Sequence, residues 1–377
     1  MTDTAVELID DLGTLDPAAW DVLAAGNPFV AHAYLHGLQA TGCAVRRTGW
    51  QPTCLVLRRA GELVGAMPLY VKSHSRGEYV FDQAWAEAFE RHGLPYYPKL
   101  LCAVPFTPVG GPRLLAAAHE DRVLLARAAI EVARQSGVSS LHVLFPRDED
   151  LRALREAGYM LREGVQFHWR NEGYASFDAF LGAMNHDKRK KIRQDRKKVE
   201  QAGIRFRHLR GADISADDLA FFYRCYAATY ANHWSSPYLK PAFFEALRAA
   251  MPEALLLVMA ERQGEPVACA LNVAAGDTLY GRYWGCLDFV SGLHFETCYL
   301  QAITYCIAHG ITHFEGGAQG VHKMSRGLLP VPTWSAHWVA DERFAAAIAD
   351  FLDRETLGMN RYLDELESHT PFKAPAD

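Results

Sequence analysis

Residues 54–71, CLVLRRAGELVGAMPLYV, read as strand, turn, strand: Leu55 and Leu57, then Leu63 to Tyr70, flank the turn Arg59-Ala60-Gly61-Glu62. Residues 256–273, LLVMAERQGEPVACALNV, read the same way. Setting Gly61 on Gly264 matches Glu62 to Glu265, Val64 to Val267 and small Gly65 to small Ala268. The chain therefore carries an internal repeat.

Downstream of each hairpin comes an amphipathic helix, marked by Leu125, Ala128, Ala129 and Val132 in the first half and by Tyr299, Ala302, Ile303 and Cys306 in the second. Each helix ends at a glycine, Gly137 or Gly310. A short apolar strand follows at once, Val138 to Phe145 and Ile311 to Phe314, as expected of a glycine C-cap leading into a buried strand. The hairpin glycines stand 203 residues apart and the helix glycines 173, so the first half holds roughly thirty extra residues within 72–108. That insertion is aromatic (Tyr79, Phe81, Trp85, Phe89, Tyr96, Tyr97, Phe106) and broken by prolines, which suits a packed excursion rather than a flexible linker.

The 377 residues, 50% of them hydrophobic, are enough for two ordinary domains, because a single core stops growing near roughly 300 residues. The first residues lack the basic start and apolar stretch of a secretion signal, and no run reaches the ~18 apolar residues of a spanning helix. The expected location is the cytoplasm. The eight cysteines include no pair at zinc or redox spacing and read as reduced core residues, and the sixteen histidines include no His-x-x-x-His with an acidic neighbour, so no metal is expected. A net charge of −5 excludes a general cationic coat. Charge is nevertheless uneven: Lys188, Arg189, Lys190, Lys191, Arg193, Arg196, Lys197 and Lys198 place eight cations in eleven residues, with Asp195 the one acid among them.

Hairpin, further strand, helix and strand, preceded by helices, is the order of the GNAT acyltransferase fold. The expected architecture is α/β (α+β), with tandem duplicated GNAT-type domains, each a mixed central sheet flanked by helices. The domains are expected at 1–170, with the insertion at 72–108, and at 171–377, with the basic helix at 187–202. That basic run, Lys188 to Ile204, resembles the helix opening the second GNAT half of the Fem aminoacyltransferases, which attach amino acids from aminoacyl-tRNA to peptidoglycan precursors. The run His294-Phe295-Glu296, Phe314-Glu315-Gly316-Gly317-Ala318-Gln319-Gly320-Val321-His322-Lys323, Arg326-Gly327 and Pro330 resembles the FemAB-like family of peptidoglycan biosynthesis or recognition. Phe81-Asp82 through Trp85, Tyr96-Tyr97-Pro98-Lys99 and Pro105 to Pro108 extend the resemblance over nearly the whole chain. It implies an acyl or aminoacyl transferase acting on an amine, and it draws Asp82 and Trp85 among the candidate substrate-binding residues.

Acyl transfer to an amine needs a proton acceptor for the amine and a hydrogen-bond donor for the carbonyl. In this fold both lie where two central strands splay, expected at Thr278 to Cys286 and Ile311 to Glu315, so Arg282, Trp284, Glu315 and Gln319 are the groups to inspect. Glu315 follows an apolar strand and precedes two glycines; it is the first candidate base, or alternatively a structural partner of Arg282 or Lys323. Glu296 and His294 are the next catalytic candidates, or helix-start capping groups. His322, Lys323 and Arg326 gather beside glycines and suit a phosphate or carboxylate. Lys190, Arg193 and Lys197 represent the basic helix, which reads either as a phosphate-binding face or as a solvated one.

No cofactor is assigned. The donor is an aminoacyl-tRNA or an acyl-CoA, and the phosphate-bearing partner is tRNA or a nucleotide-linked precursor. The pyrophosphate loop of a CoA enzyme, Gln/Arg-x-x-Gly-x-Gly/Ala at a helix start, is not matched by Leu287 to Glu296. The alternatives are a recognition module for a cell-wall precursor or tRNA without turnover, and a CoA-dependent N-acetyltransferase.

Overall fold

The computed structural model describes residues 4–318 and 320–373. Two compact units divide it: Met1–Gly164 with Pro332–Tyr362, and Val165–Val331 with Leu363–Asp377. The expectation of one cut near Asn171 is corrected in one respect. Each unit takes a strand from the far side of the cut, because the last sheet strand of each repeat finds its antiparallel neighbour there. In the first unit Ser140 to Leu144 pair with Ser335 to Val339. In the second, His313–Glu315 pair with His168 to Arg170.

The two hairpins repeat in detail. Cys54–Arg59 and Glu62–Met67 pair with a register shift between Leu57 and Arg58. Leu255–Arg262 and Glu265–Ala275 pair with a shift between Ala260 and Glu261, the positions that the glycine superposition makes equivalent. Both turns place two residues at positive φ, Ala60 (51°) with Gly61 (85°), and Gln263 (55°) with Gly264 (86°). Two-residue hairpins of this kind follow the twist of their strands and need glycine at the second position.

In the first unit the helix His119–Gln135 buries Leu125, Ala126, Ala129 and Ala133 against Leu55, Leu57, Met67, Leu141 and Val143. The insertion is a folded part of this unit. It contains the helix Gln83–Arg91 and the strand Lys99–Cys102, which runs parallel to Ser140–Leu144 and so takes the place of the third repeat strand. Trp85, Phe89 and Tyr96 pack with Val339, Ile348 and Leu352.

In the second unit the sheet order is Ile204–Arg210, Leu255–Arg262, Glu265–Ala275, Thr278–Cys286, His313–Glu315 and the end of Met160–Arg170. All neighbours are antiparallel except Thr278–Cys286 beside His313–Glu315. The helix Ala216–Asn232 crosses so close to Gly285 that a Cβ there would sit 1.9 Å from the Cys225 carbonyl oxygen, which only glycine permits. The helix beginning at Leu293 continues through a π segment, Glu296–Leu300, into Gln301–His309. Gly310, at φ 67°, ends it.

Candidate functional site

The candidate groups of the second unit collect at the end of its one parallel strand pair. Thr278, Leu279 and Tyr280 pair with His313, Phe314 and Glu315, and past Tyr280 the longer strand runs on to Cys286 beyond the end of its shorter neighbour. The candidates thus sit where the shorter strand stops and the longer one continues, and the shorter strand begins at His313 rather than Ile311. Strand alternation sends Phe314 into the core, fully buried, and Glu315 to the other face with a side chain 12% exposed. The Arg282 guanidinium, 3% exposed, lies 3.7 Å from the Glu315 carboxylate and over the Tyr280 ring. Burial, and then the Glu315 charge, push the Tyr280 hydroxyl up to about 12.

Lys323 enters from the turn Val321–Arg326. It is buried, and its Nζ donates to the Gly317 carbonyl at 2.9 Å. Burial, and then the nearby Arg282 charge, push its ammonium down to about 8, against an opposing effect of Cys298. His168, the cross-strand partner of Glu315, is pushed down to about 4 by burial and then by Arg282 and Lys323, so it is a neutral imidazole near pH 7. Sequence reading missed His168 because it sits on a strand at the end of the first repeat; alternation in Phe167-His168-Trp169 was its one signal.

Beside this group stands an aromatic wall. His294 lies 5.2 Å from Trp284, 5.3 Å from Phe295 and 5.7 Å from Tyr299, and His322 lies 5.7 Å from Phe295, measured between ring centroids. Burial, and then His322 and Lys323, push His294 down to about 4, which makes it a weak base. Glu296 opens the π segment instead of capping a helix. Its Oε1 accepts from Gln301 Nε2 at 2.7 Å and lies 3.1 Å from Arg196 Nε, while burial raises its carboxyl above the ordinary range against the pull of Arg196. Arg326 stacks on Phe295 and donates to Asp195 Oδ2 at 3.1 Å. Gln319 lies outside the described residues.

The basic helix spans His186–Gln201, capped by the Asn185 side chain on the Lys188 amide. It is two-faced. Ile192 and Val199 are buried, and Asp195 and Arg196 point to the site just described. On the other face His186, Arg189, Lys190, Arg193, Gln194 and Lys197 line an open groove of about 320 Å³. Not all eight cations of the run are therefore available to a ligand.

Asp82 and Trp85, the candidates drawn in by the family resemblance, belong to the first unit and are buried there. Asp82 accepts from Lys99 Nζ and from the Tyr96 hydroxyl at 2.6 Å. Burial alone would raise its carboxyl, but Lys99 and His142 outweigh that and hold it at about 2. Lys99 also bonds Glu78, beside Lys72, which lies over Trp50. From Tyr96 the bonds continue to His142 Nε2, and from His142 Nδ1 to His337 Nδ1 at 2.8 Å, with Trp85 packed over both rings.

Six of the eight cysteines are buried, and none forms a disulfide. Among the described residues no group of three or more His, Cys, Asp or Glu is placed to hold a metal, and no helix is long and apolar enough to cross a membrane.

The FemAB-like family model, described as peptidoglycan biosynthesis/recognition, matches residues 11–374. No curated protein sequence matches the chain. Among solved structures, FemX is similar over 91% of this chain and all of that one, at 13% identity and a TM-score of 0.54. L-PGS from Bacillus licheniformis is similar over 92% of this chain and 98% of its own, at 10% identity and a TM-score of 0.57. A conserved protein of unknown function from Bacteroides thetaiotaomicron covers 89% of this chain, with all of its own length aligned, at 11% identity and a TM-score of 0.50. At such identities the likeness is one of fold, and it extends over both GNAT-type units.

Proposed function

The chain belongs to the FemAB-like family, and from that premise we propose that it is a transferase that moves an acyl or aminoacyl group onto an amine. The observation that carries this reading is the gathering of Glu315, Arg282 and Lys323 where the parallel strand pair ends. Arg282 lies 3.7 Å from the Glu315 carboxylate, and the buried Lys323 ammonium lies close enough to Arg282 to feel its charge, a pairing of cations that favours an anionic group and a developing oxyanion. Glu315 takes the proton from the attacking amine as the N–C bond forms, and its carboxyl returns that proton to the donor's departing oxygen or sulfur as the acyl C–O or C–S bond breaks. Arg282 and Lys323 hold the substrate's anionic group and the charge that forms on the acyl carbonyl, and neutral His168 completes the polar lining. Trp284, His294, Phe295, Tyr299 and His322 supply apolar wall on which a substrate can lie.

The donor we favour is aminoacyl-tRNA, its phosphates carried by Arg189, Lys190, Arg193 and Lys197. Acyl-CoA is disfavoured by the missing pyrophosphate loop: Gly292, at φ 86°, precedes Leu293 without a side-chain cap or the glycine pattern that cradles a diphosphate. The acceptor is an amine on a cell-wall precursor. A second reading, binding without turnover, is favoured by the Arg282–Glu315 contact, since an ion pair can serve structure alone.

The test is to offer the purified protein aminoacyl-tRNA and acyl-CoA pools with amine-bearing precursors, and to score transfer by mass spectrometry. Transfer from the tRNA pool is expected. Stoichiometric binding of precursor or tRNA with no product from either pool would leave the recognition module standing instead.

A further inference from the structure

Asp195 and Arg196 are adjacent on the buried side of the basic helix and carry opposite charges to two different walls of the site. Asp195 Oδ2 receives Arg326 Nη2 at 3.1 Å, and its Oδ1 receives Lys191 at 2.8 Å. Arg196 Nε lies 3.1 Å from Glu296 Oε1, with its guanidinium over Phe177. Arg326 ends the turn that bears Lys323, and Glu296 opens the π segment that continues into Tyr299 and Gln301.

Both walls carry backbone that departs from the regular helix or turn. The Lys323 turn lies between Gly320 at φ 123° and Gly327 at φ 90°, after Gly316 and Gly317, so its flanks have the freedom of glycine. A π segment is a local departure from the favoured helix and is found most often at functional positions. The four charges are largely buried: side-chain exposures are 13% for Asp195, 6% for Arg326 and 4% for Glu296, with Arg196 at 31%. Apolar residues of equal volume would hold these elements at least as stably, because desolvation offsets most of the attraction in a buried pair. What the crossed pairs add is one geometry.

We propose that Asp195 and Arg196 are positioning residues: through Arg326 and Glu296 they fix the Lys323 turn and the π segment against the basic helix, so that the helix bearing the anion-binding face also sets the site. This rests on the reading of Lys323 as an acting group. The groups that face Lys323 are Arg282, Cys298, His168, His294 and His322, and the crossed pairs keep Lys323 among them.

The experiment reads Lys323 without any substrate. The whole protein is pulsed with acetic anhydride across pH, and modification of each lysine is followed by peptide mass spectrometry, with exposed Lys190 and Lys197 as internal references. In the wild type Lys323 should react slowly, with a midpoint near its lowered value of about 8. In Asp195→Asn, and in Arg326→Gln, its reactivity should rise several-fold and its midpoint should move up by about a unit or more as it becomes hydrated. Arg326→Lys should restore part of the wild-type behaviour, and Arg196→Gln should raise reactivity less. A Lys323 midpoint and rate unchanged in both Asp195→Asn and Arg326→Gln overturns the proposal. If the shift is found while the wild type transfers no acyl group, the positioning stands and the transferase reading fails.

Discussion

His142 stands in the first unit where Glu315 stands in the second. Each lies five residues after the glycine that ends its repeat helix, on the strand that pairs in parallel with the third repeat strand, and each has a histidine as its antiparallel neighbour, His337 or His168. The surroundings differ. His142 is sealed by Trp85, Tyr96 and Ser140, and burial, followed by the Lys99 charge, pushes its imidazole down to about 3. The aromatic insertion has filled in the first unit the place that remains lined by polar groups in the second.

That contrast makes the first-unit network structural. Asp82→Ala leaves Lys99 buried with one carboxylate fewer, and breaking a buried pair from one side costs about 3–5 kcal/mol. Denaturant unfolding should show that loss. A change below ~1 kcal/mol would return Asp82 to the ligand-binding residues suggested by family resemblance.

The histidine pair also sets a pH dependence. A buried imidazole with a lowered folded-state pKa stays neutral while the unfolded chain takes up a proton below about 6.5, so stability is full above that pH and is lost as pH falls towards 3. Each unit of separation is worth about 1.4 kcal/mol. Unfolding free energies at pH 7 and 4.5 should therefore differ by about 2–3 kcal/mol less in His142→Asn than in the wild type. An equal difference in both proteins would mean that His142 does not carry this dependence.

Much of this was legible in the sequence. Gly61 and Gly264 gave both turns, Gly137 and Gly310 both helix ends, and Thr278 to Cys286 was a strand as read, because local rules govern each. What escaped depends on long-range pairing. Nothing local in Phe167-His168-Trp169 says that it pairs with His313–Glu315, nor in Ser335 to Val339 that it pairs with Ser140 to Leu144. The buried network around Asp82 and Trp85 was not legible either, because their partners, Lys99, His142 and His337, are scattered along the chain. The π segment at Glu296 has no composition signal at all.

On the basic helix, replacing Lys190, Arg193 and Lys197 with Gln should weaken tRNA binding alike for all sequences. The slope of log affinity against log salt should drop by about 2–3, at 0.7–0.9 per lost phosphate contact. Thermal stability should barely change, since exposed charges contribute little to it. Filter binding across a salt series gives the slope, and a slope equal to that of the wild type makes this face merely solvated.

Lys323 gives the rate a second titration. As a cation holding negative charge it acts in its protonated form, so transfer should fall as pH rises through about 8. Lys323→Arg should remove that fall, because guanidinium keeps its proton there. A rate that instead rises through pH 8 would make the neutral amine the acting form.

Single-turnover transfer in Glu315→Gln reads whether Glu315 accepts the proton of the attacking amine. The amide keeps the shape of the side chain and loses the base. The rate of the chemical step should fall by about 10²–10⁴, with donor and acceptor dissociation constants within about threefold of wild type. A Glu315→Gln protein that transfers at the wild-type rate would mean that Glu315 is not the base.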